Sequence, residues 1–293
     1  MRLADSALRR WRRVHYRGTV SRPYLSGDLF RALCDAALDG MRGADRQFVR
    51  SYRHARSLFV KTDRLAEFLG VFADAAVECR TLITGNSDLE IHAVPVRLPP
   101  RLQRWYAQNA FVTSDVIRPL PIGLENQALG VNGLLRDFRR CGAADLDAKG
   151  LSVFAGFAPT TSERESLTDR LRVNRLIAVE PRRLSPAAYQ SRLRSARFVI
   201  APRGNGVDTH RFWEALYADA IPVTRRSAWS RAFAAEGVPM IEVDEWDEVL
   251  RWSEHDLLQR SAALPQQPSA LPWLWEPFWR ARIAGAGAGN RAS

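Results

Sequence analysis

Arg203, Gly204, Asn205 and Gly206 stand just ahead of Asp208, Thr209, His210 and Arg211, and Glu214 follows within one helical turn. Read as chemistry, this is a site for an anion. An arginine offers a forked, charge-assisted donor to phosphate oxygens. Gly204 and Gly206 let backbone N–H groups come close to a ligand and permit positive φ. A helix starting directly after them would add its free N-terminal donors and its dipole. Arg211 and Glu214 sit at i,i+3 on one helix face. They either form an ordinary surface ion pair or divide a nucleotide between them, Arg211 on a phosphate and Glu214 on the ribose hydroxyls. His210 either donates to a phosphate or sugar or is a structural hydrogen-bonder. Two common phosphate loops are excluded, because Thr209 occupies the third glycine position of G-x-G-x-x-G and no GK[ST] follows.

The elements that must hold these residues are legible nearby. FVIA at 198–201 reads as a buried strand, Asp208 or Thr209 can cap the next helix, and IPV at 221–223 reads as the following strand. A strand–helix–strand unit crosses over right-handedly and leaves the 204–206 loop at the carboxyl edge of the sheet. Ligands of open α/β sheets bind at that edge.

The same alternation runs through the chain. Short apolar strands are expected at 58–60, 81–84, 116–122, 151–154, 176–179 and 240–243. Helices are expected after Asp28 through LFRALCDAALDGM, over 65–79 and from about Glu163. Alternating strands and helices predict two α/β halves with mostly parallel sheets. Residues 1–130 form the first half and 131–264 the second, with the boundary between Gly123 and Gly150. Residues 265–293 form a tail rich in proline and tryptophan that ends in AGAGAGN. Its Trp273, Trp275 and Trp279 are expected to pack against another segment.

Composition narrows the class. The chain has 293 residues, 46% of them hydrophobic and 10% aromatic, which fits a globular protein and not a disordered one. Cys34, Cys79 and Cys141 are odd in number and far apart, with neither a disulfide framework nor a zinc spacing. They point to a reducing cytoplasm. No apolar run is long enough to span a membrane, and the N-terminus lacks the apolar core of a signal peptide. A net charge of +11, carried almost wholly by arginine, favours anionic partners. Nucleic acid is not expected among them, because apart from Arg9, Arg10, Arg12 and Arg13 the cations do not cluster and no base-reading motif is present.

The string APRGNGVDTHRFWEALYADAIPV resembles the donor-binding segment of exostosin-like glycosyltransferases of the GT-B architecture, of the bacterial and viral type. In that wider group a helix bearing Glu-Ala-apolar, followed by a Gly-x-Pro-Val turn, carries the glutamate that holds the nucleotide ribose. Glu214, Ala215 and Leu216, then Pro222 and Val223, match it. Ala220 stands where glycine is usual, and Gly206 where many of these enzymes carry a first glutamate. LFVKTDRLAEFL, TLITGNSDLEI, WYAQN and PLPIGLEN resemble other segments of the group, so the similarity spans roughly residues 23–245.

The resemblance implies two Rossmann-like domains facing a central cleft and transfer of a sugar from a UDP- or GDP-linked donor to a glycan or other hydroxyl acceptor. It implies no cofactor and no essential metal. The carboxylates of EVDEWDE read as a solvated helix start. On this reading the donor lies on Arg203, Gly204, Asn205, Gly206, Asp208, Thr209, His210, Arg211 and Glu214. The base that takes the acceptor proton is Asp88, in the turn after a first-half strand, or Glu125, with Asp63 behind them and Lys61 able to meet a phosphate. Asp88 could equally cap its own turn. Asn86 and Asn109 are acceptor-site hydrogen-bonders or turn formers. The setting is bacterial surface-glycan assembly on the cytoplasmic side, with the basic N-terminus touching anionic lipid at the inner membrane face. A non-catalytic nucleotide- or phosphoglycan-binding module is the alternative, and a basic nucleic-acid-binding protein a more distant one.

Overall fold

The computed structural model of the chain describes residues 22–40, 52–72, 77–95, 97–129, 138, 149–150, 152–180 and 182–285. The basic cluster at Arg9 to Arg13, Cys141, most of the expected domain boundary and the AGAGAGN end lie outside the described residues.

Two five-stranded sheets organise the rest. The first contains β1 (Ala36–Leu38), β2 (Ser57–Lys61), β3 (Thr81–Gly85), β4 (Arg104–Ala107) and β5 (Ile117–Pro119), in the order β1-β2-β3-β4-β5. The second contains β6 (Val153–Ala155), β7 (Ile177–Val179), β8 (Phe198–Ile200), β9 (Ile221–Arg225) and β10 (Ile241–Val243), in the order β10-β9-β8-β6-β7. Every pairing is parallel. The strands explain why: SLFVK, TLITG and IPVTR are buried along nearly their whole length, which suits sheets covered on both faces.

The helices are α1 (Gly27–Leu33), α2 (Leu65–Phe72), α3 (Ser162–Leu171), α4 (Pro186–Ser195), α5 (His210–Tyr217), α6 (Ala228–Ala235), α7 (Asp247–Leu250), α8 (Glu254–Ala262) and α9 (Glu276–Ala284). Side-chain caps start many of them: Ser26 on α1, Thr161 on α3, Ser185 on α4, and capping boxes at Ser227 and Ser253 on α6 and α8. None of the described helices is long and apolar enough to cross a membrane.

Three expectations are corrected. The helix expected through LFRALCDAALDGM stops at Leu33, because residues 36–38 leave the helical pattern to pair with β2 at the sheet edge. The helix expected over 65–79 is described only to Phe72, and Val77 to Cys79 lie outside any helix. RWYA at 104–107, not expected as a strand, is β4, inserted between β3 and β5. Its aromatic pair carries strand propensity without an apolar run.

The halves meet along an apolar seam. Leu124 from the segment after β5 packs with Trp213, Tyr217, Trp229 and Phe233 of the second half and with Leu274 of the tail. Leu25 N–H donates to the Tyr217 hydroxyl at 2.9 Å, and that hydroxyl donates to Leu274 O at 2.6 Å. The tail then returns to the first half. Trp279 of α9 packs edge-on against Phe30 and Tyr106, and Trp275 against Tyr24 and Tyr217. The tail tryptophans thus pack as expected.

Candidate functional site

In the second sheet β6 lies between β7 and β8, so the chain leaves it in opposite directions along the sheet and opens a crevice at the carboxyl ends of β6 and β8. A cavity of about 450 Å³ occupies that edge, walled by residues 156–160 after β6, Glu180, Arg182, Arg183 and Leu184 after β7, and Arg164, Tyr189 and Arg211 from the helices. Gly156 is required there, since a Cβ would meet the Phe154 ring at 2.3 Å.

Glu214, next to the lining residue Tyr189, is almost wholly buried. The Tyr189 hydroxyl donates to its Oε2 at 2.7 Å, while its Oε1 has no hydrogen-bond partner among the described residues. Arg211 lays its guanidinium over the Tyr189 ring at 5.4 Å, and its Nε is likewise buried without a partner. Burial pushes the Glu214 carboxyl up, and the Arg211 charge and the Tyr189 hydroxyl pull it back. Arg164 stands close by, its pKa drawn down to about 10 by burial first and by the Arg211 charge second. Two guanidiniums thus line the cavity, and a buried carboxylate lies behind them with one oxygen unpaired among the described residues. Native interiors rarely leave such groups unpaired.

Arg164 also shapes the glycine loop. Its guanidinium donates to Pro202 O at 2.9 Å, Arg203 O at 2.8 Å and Thr160 Oγ1 at 3.3 Å. Neither Gly204 nor Gly206 uses the positive φ that glycine permits. Both sit at close quarters with side chains. A Cβ on Gly204 would lie 3.2 Å from Arg164 Nη2, and one on Gly206 would lie 2.7 Å from Asn109 Nδ2.

The loop's polar side chains reach across to the first half. Arg203 pairs with Glu90 at 2.8 Å, and Asn205 Nδ2 donates to Asp88 Oδ2 at 3.2 Å. Asp208 faces the seam, fully buried, where it accepts from Ile122 N–H at 2.8 Å and Trp213 Nε1–H at 2.7 Å. Thr209 is the N-cap of α5 by backbone geometry, but its hydroxyl makes no cap bond and is buried without a partner. Of the residues expected around the donor, Arg211 and Glu214 gather at the cavity, while Arg203, Asn205 and Asp208 join the halves.

A second cavity of about 440 Å³ lies at the carboxyl edge of the first sheet, walled by Lys61, Asp63, Asn86, Ser87, Asp88 and Gln108 and by Asn126 and His210. Carboxamides build its floor. Asn86 and Asn109 both adopt left-handed φ of 54° at the ends of β3 and β4. Asn126 Nδ2 donates to Asn86 Oδ1 at 3.0 Å and its Oδ1 accepts from Asp28 N–H at 2.8 Å. Asn109 Nδ2 donates to Ser87 O at 3.1 Å, and its Oδ1 accepts from Asp208 N–H at 2.9 Å. Asn86 and Asn109 are thus turn formers, and the side-chain bonds they make are to protein groups.

Asp63 is paired with Lys61 and accepts from Ser87 Oγ; the lysine, first, holds its carboxyl below the usual range. Glu125 stands near enough to Glu214 to raise that carboxyl slightly. His210 Nδ1 lies 2.8 Å from Gly123 O. As the first two residues of α5, His210 and Arg211 line the two cavities separately.

Over 103 residues the chain is 29% identical to Exostosin-1 of Drosophila melanogaster. Part of this chain is therefore similar to part of that protein. The match covers 31% of the chain and 12% of that protein. No family model matches.

Arg164, Tyr189, Gln108 and Asn126 went unseen in sequence. Arg164 lies in the charged face of SERESLTDRL and Tyr189 in PAAYQ, with no pattern to mark either. Asn126 is the last residue of PLPIGLEN, and no pattern there marks it either.

Proposed function

We propose that this protein is a glycosyltransferase of the GT-B type that uses a nucleoside-diphosphate sugar. The observation that carries the reading is the pair of orphaned buried groups next to the sheet crevice, Arg211 Nε on a residue that lines it and Glu214 Oε1 on the carboxylate held by Tyr189. Leaving such a group unpaired costs about 1–3 kcal/mol, and a ligand with hydroxyls and a phosphate would recover it. A carboxylate accepts two hydroxyl protons well, which fits the ribose diol. The diphosphate then lies toward Arg211 and the start of α5, where free backbone donors and the helix dipole favour negative charge. The base fills the slot between residues 156–160 and 182–184. The sugar extends past α5 toward the amide-floored cavity, where the acceptor hydroxyl approaches. During transfer the diphosphate gains charge, and Arg211 and the helix terminus are already in place to bear it.

Titration calorimetry with UDP- and GDP-sugars tests the reading. Glu214→Ala and Arg211→Ala should each weaken donor binding by about tenfold or more, in line with a lost charge-assisted bond. No binding by the wild type, or equal binding by both variants, would sink it.

A further inference from the structure

Transfer, on the reading above, needs a base for the acceptor proton at the cleft between the halves. We propose that His210 is that base. Its ring forms part of the wall of the 440 Å³ cavity, beside Asn86, Gln108 and Asn126. Its Nδ1 lies 2.8 Å from Gly123 O. A carbonyl oxygen only accepts, so Nδ1 carries the proton, and the neutral ring keeps its lone pair on Nε2. Nε2 has no partner among the described residues.

The fold fixes this tautomer. Gly123 has φ of 66° and lies so tightly on Leu25 that a Cβ would meet Leu25 O at 2.3 Å. Leu124 N–H donates to the same oxygen at 2.7 Å, so the Gly123 carbonyl cannot swing away. An imidazole held at one nitrogen by a rigid acceptor, with the other open to a polar cavity, is the arrangement of a general base oriented by a third group.

The charged groups facing His210 are mostly committed elsewhere. Lys61 and Asp63 pair with each other, Asp88 is tied to Asn205, Glu214 is held by Tyr189, and Arg211 lies over Tyr189. Glu125 lies near enough to act on Glu214 of the same helix. In the step, the acceptor oxygen forms its bond to the anomeric carbon as the bond from that carbon to the diphosphate oxygen breaks. The breaking pair stays on the nucleoside diphosphate, and the acceptor proton moves to His210 Nε2. The imidazolium then returns its proton to solvent.

The test uses the full chain with UDP- and GDP-sugars, measuring donor affinity and nucleotide release with water or an added glycoside as acceptor. His210→Asn is the decisive variant, because its amide nitrogen stands where Nδ1 does and can keep the bond to Gly123 while removing Nε2. It should bind donor within about threefold of wild type, keep its melting temperature, and lose about 10²–10⁴-fold in turnover. The acid limb of the pH–rate profile should vanish, and added imidazole should raise turnover in His210→Ala. Turnover preserved in His210→Asn overturns the inference, as does wild-type release no faster than that variant's. Turnover lost in Asp88→Asn but kept in His210→Asn moves the base to Asp88. Failure of the wild type to bind any donor instead overturns the transferase reading, and the inference with it.

Discussion

At Asp208, burial and hydrogen bonding act in opposite directions. Burial pushes its carboxyl up to about 8, although Trp213, Ile122 and Thr209 all donate to it and favour its charged form. In the unfolded chain an aspartate titrates near 3.9. Between about pH 4 and 8 the folded protein therefore holds a proton that the unfolded chain has released. The contribution of Asp208 to stability is full below that window and declines as pH rises through 8. Asp208→Asn cannot titrate, so the stability gap between wild type and variant should narrow from pH 5 to pH 8, by up to about 1.4 kcal/mol per unit. Urea unfolding at several pH values checks this, and a constant or widening gap contradicts it. Sequence reading placed Asp208 at a ligand or a helix cap. Its true partners, Ile122 and Trp213, include one from the far half, and no local pattern could announce that.

At the scale of elements, one buried lysine joins two helix ends. Lys149 Nζ donates to Ala196 O and Ala218 O, each at 2.9 Å, and to Leu193 O at 3.5 Å. Those carbonyls end α4 and α5, where the helix dipole favours a cation. Lys149→Met would take the ammonium away from them, and should cost about 2–4 kcal/mol from the lost charge-assisted bonds. A fall in the urea midpoint without a change in slope would report it; an unchanged midpoint would show that water replaces the ammonium. Because α5 carries His210, Arg211 and Glu214, the same variant should weaken donor binding only through stability, leaving affinity at low temperature intact. Strands and helices of the second half were readable because each is a short apolar run ended by turn residues. β1 and β4 were not, since edge pairing in one and aromatic residues in the other stand in for that pattern.

The whole molecule is held by a seam and a returning tail. Trp279 is buried, packs against Phe30 and Tyr106 of the first half, and donates through Nε1 to Trp273 O at 2.7 Å. Trp279→Ala should cost about 3–5 kcal/mol, as large aromatic truncations in cores do. The loss should appear as earlier unfolding of the first half, followed by hydrogen exchange at β2 and β3. Uniform exchange across both sheets would show instead that the halves unfold as one body.

The amino-acid order by itself determined the α/β class, most strands of the second half, and the loop–helix unit that brings Arg211 and Glu214 to a sheet edge. These follow from patterns a few residues long: apolar runs, caps and glycine turns act on their own neighbours. Tertiary structure alone decided which polar residues face a cavity and which are spent joining the halves. Arg203 and Asn205 go to Glu90 and Asp88, while Arg164 and Tyr189 arrive from other helices to complete the pocket. A side chain's partner across a hundred residues depends on how two sheets dock, and docking is a property of packed surfaces, not of local sequence.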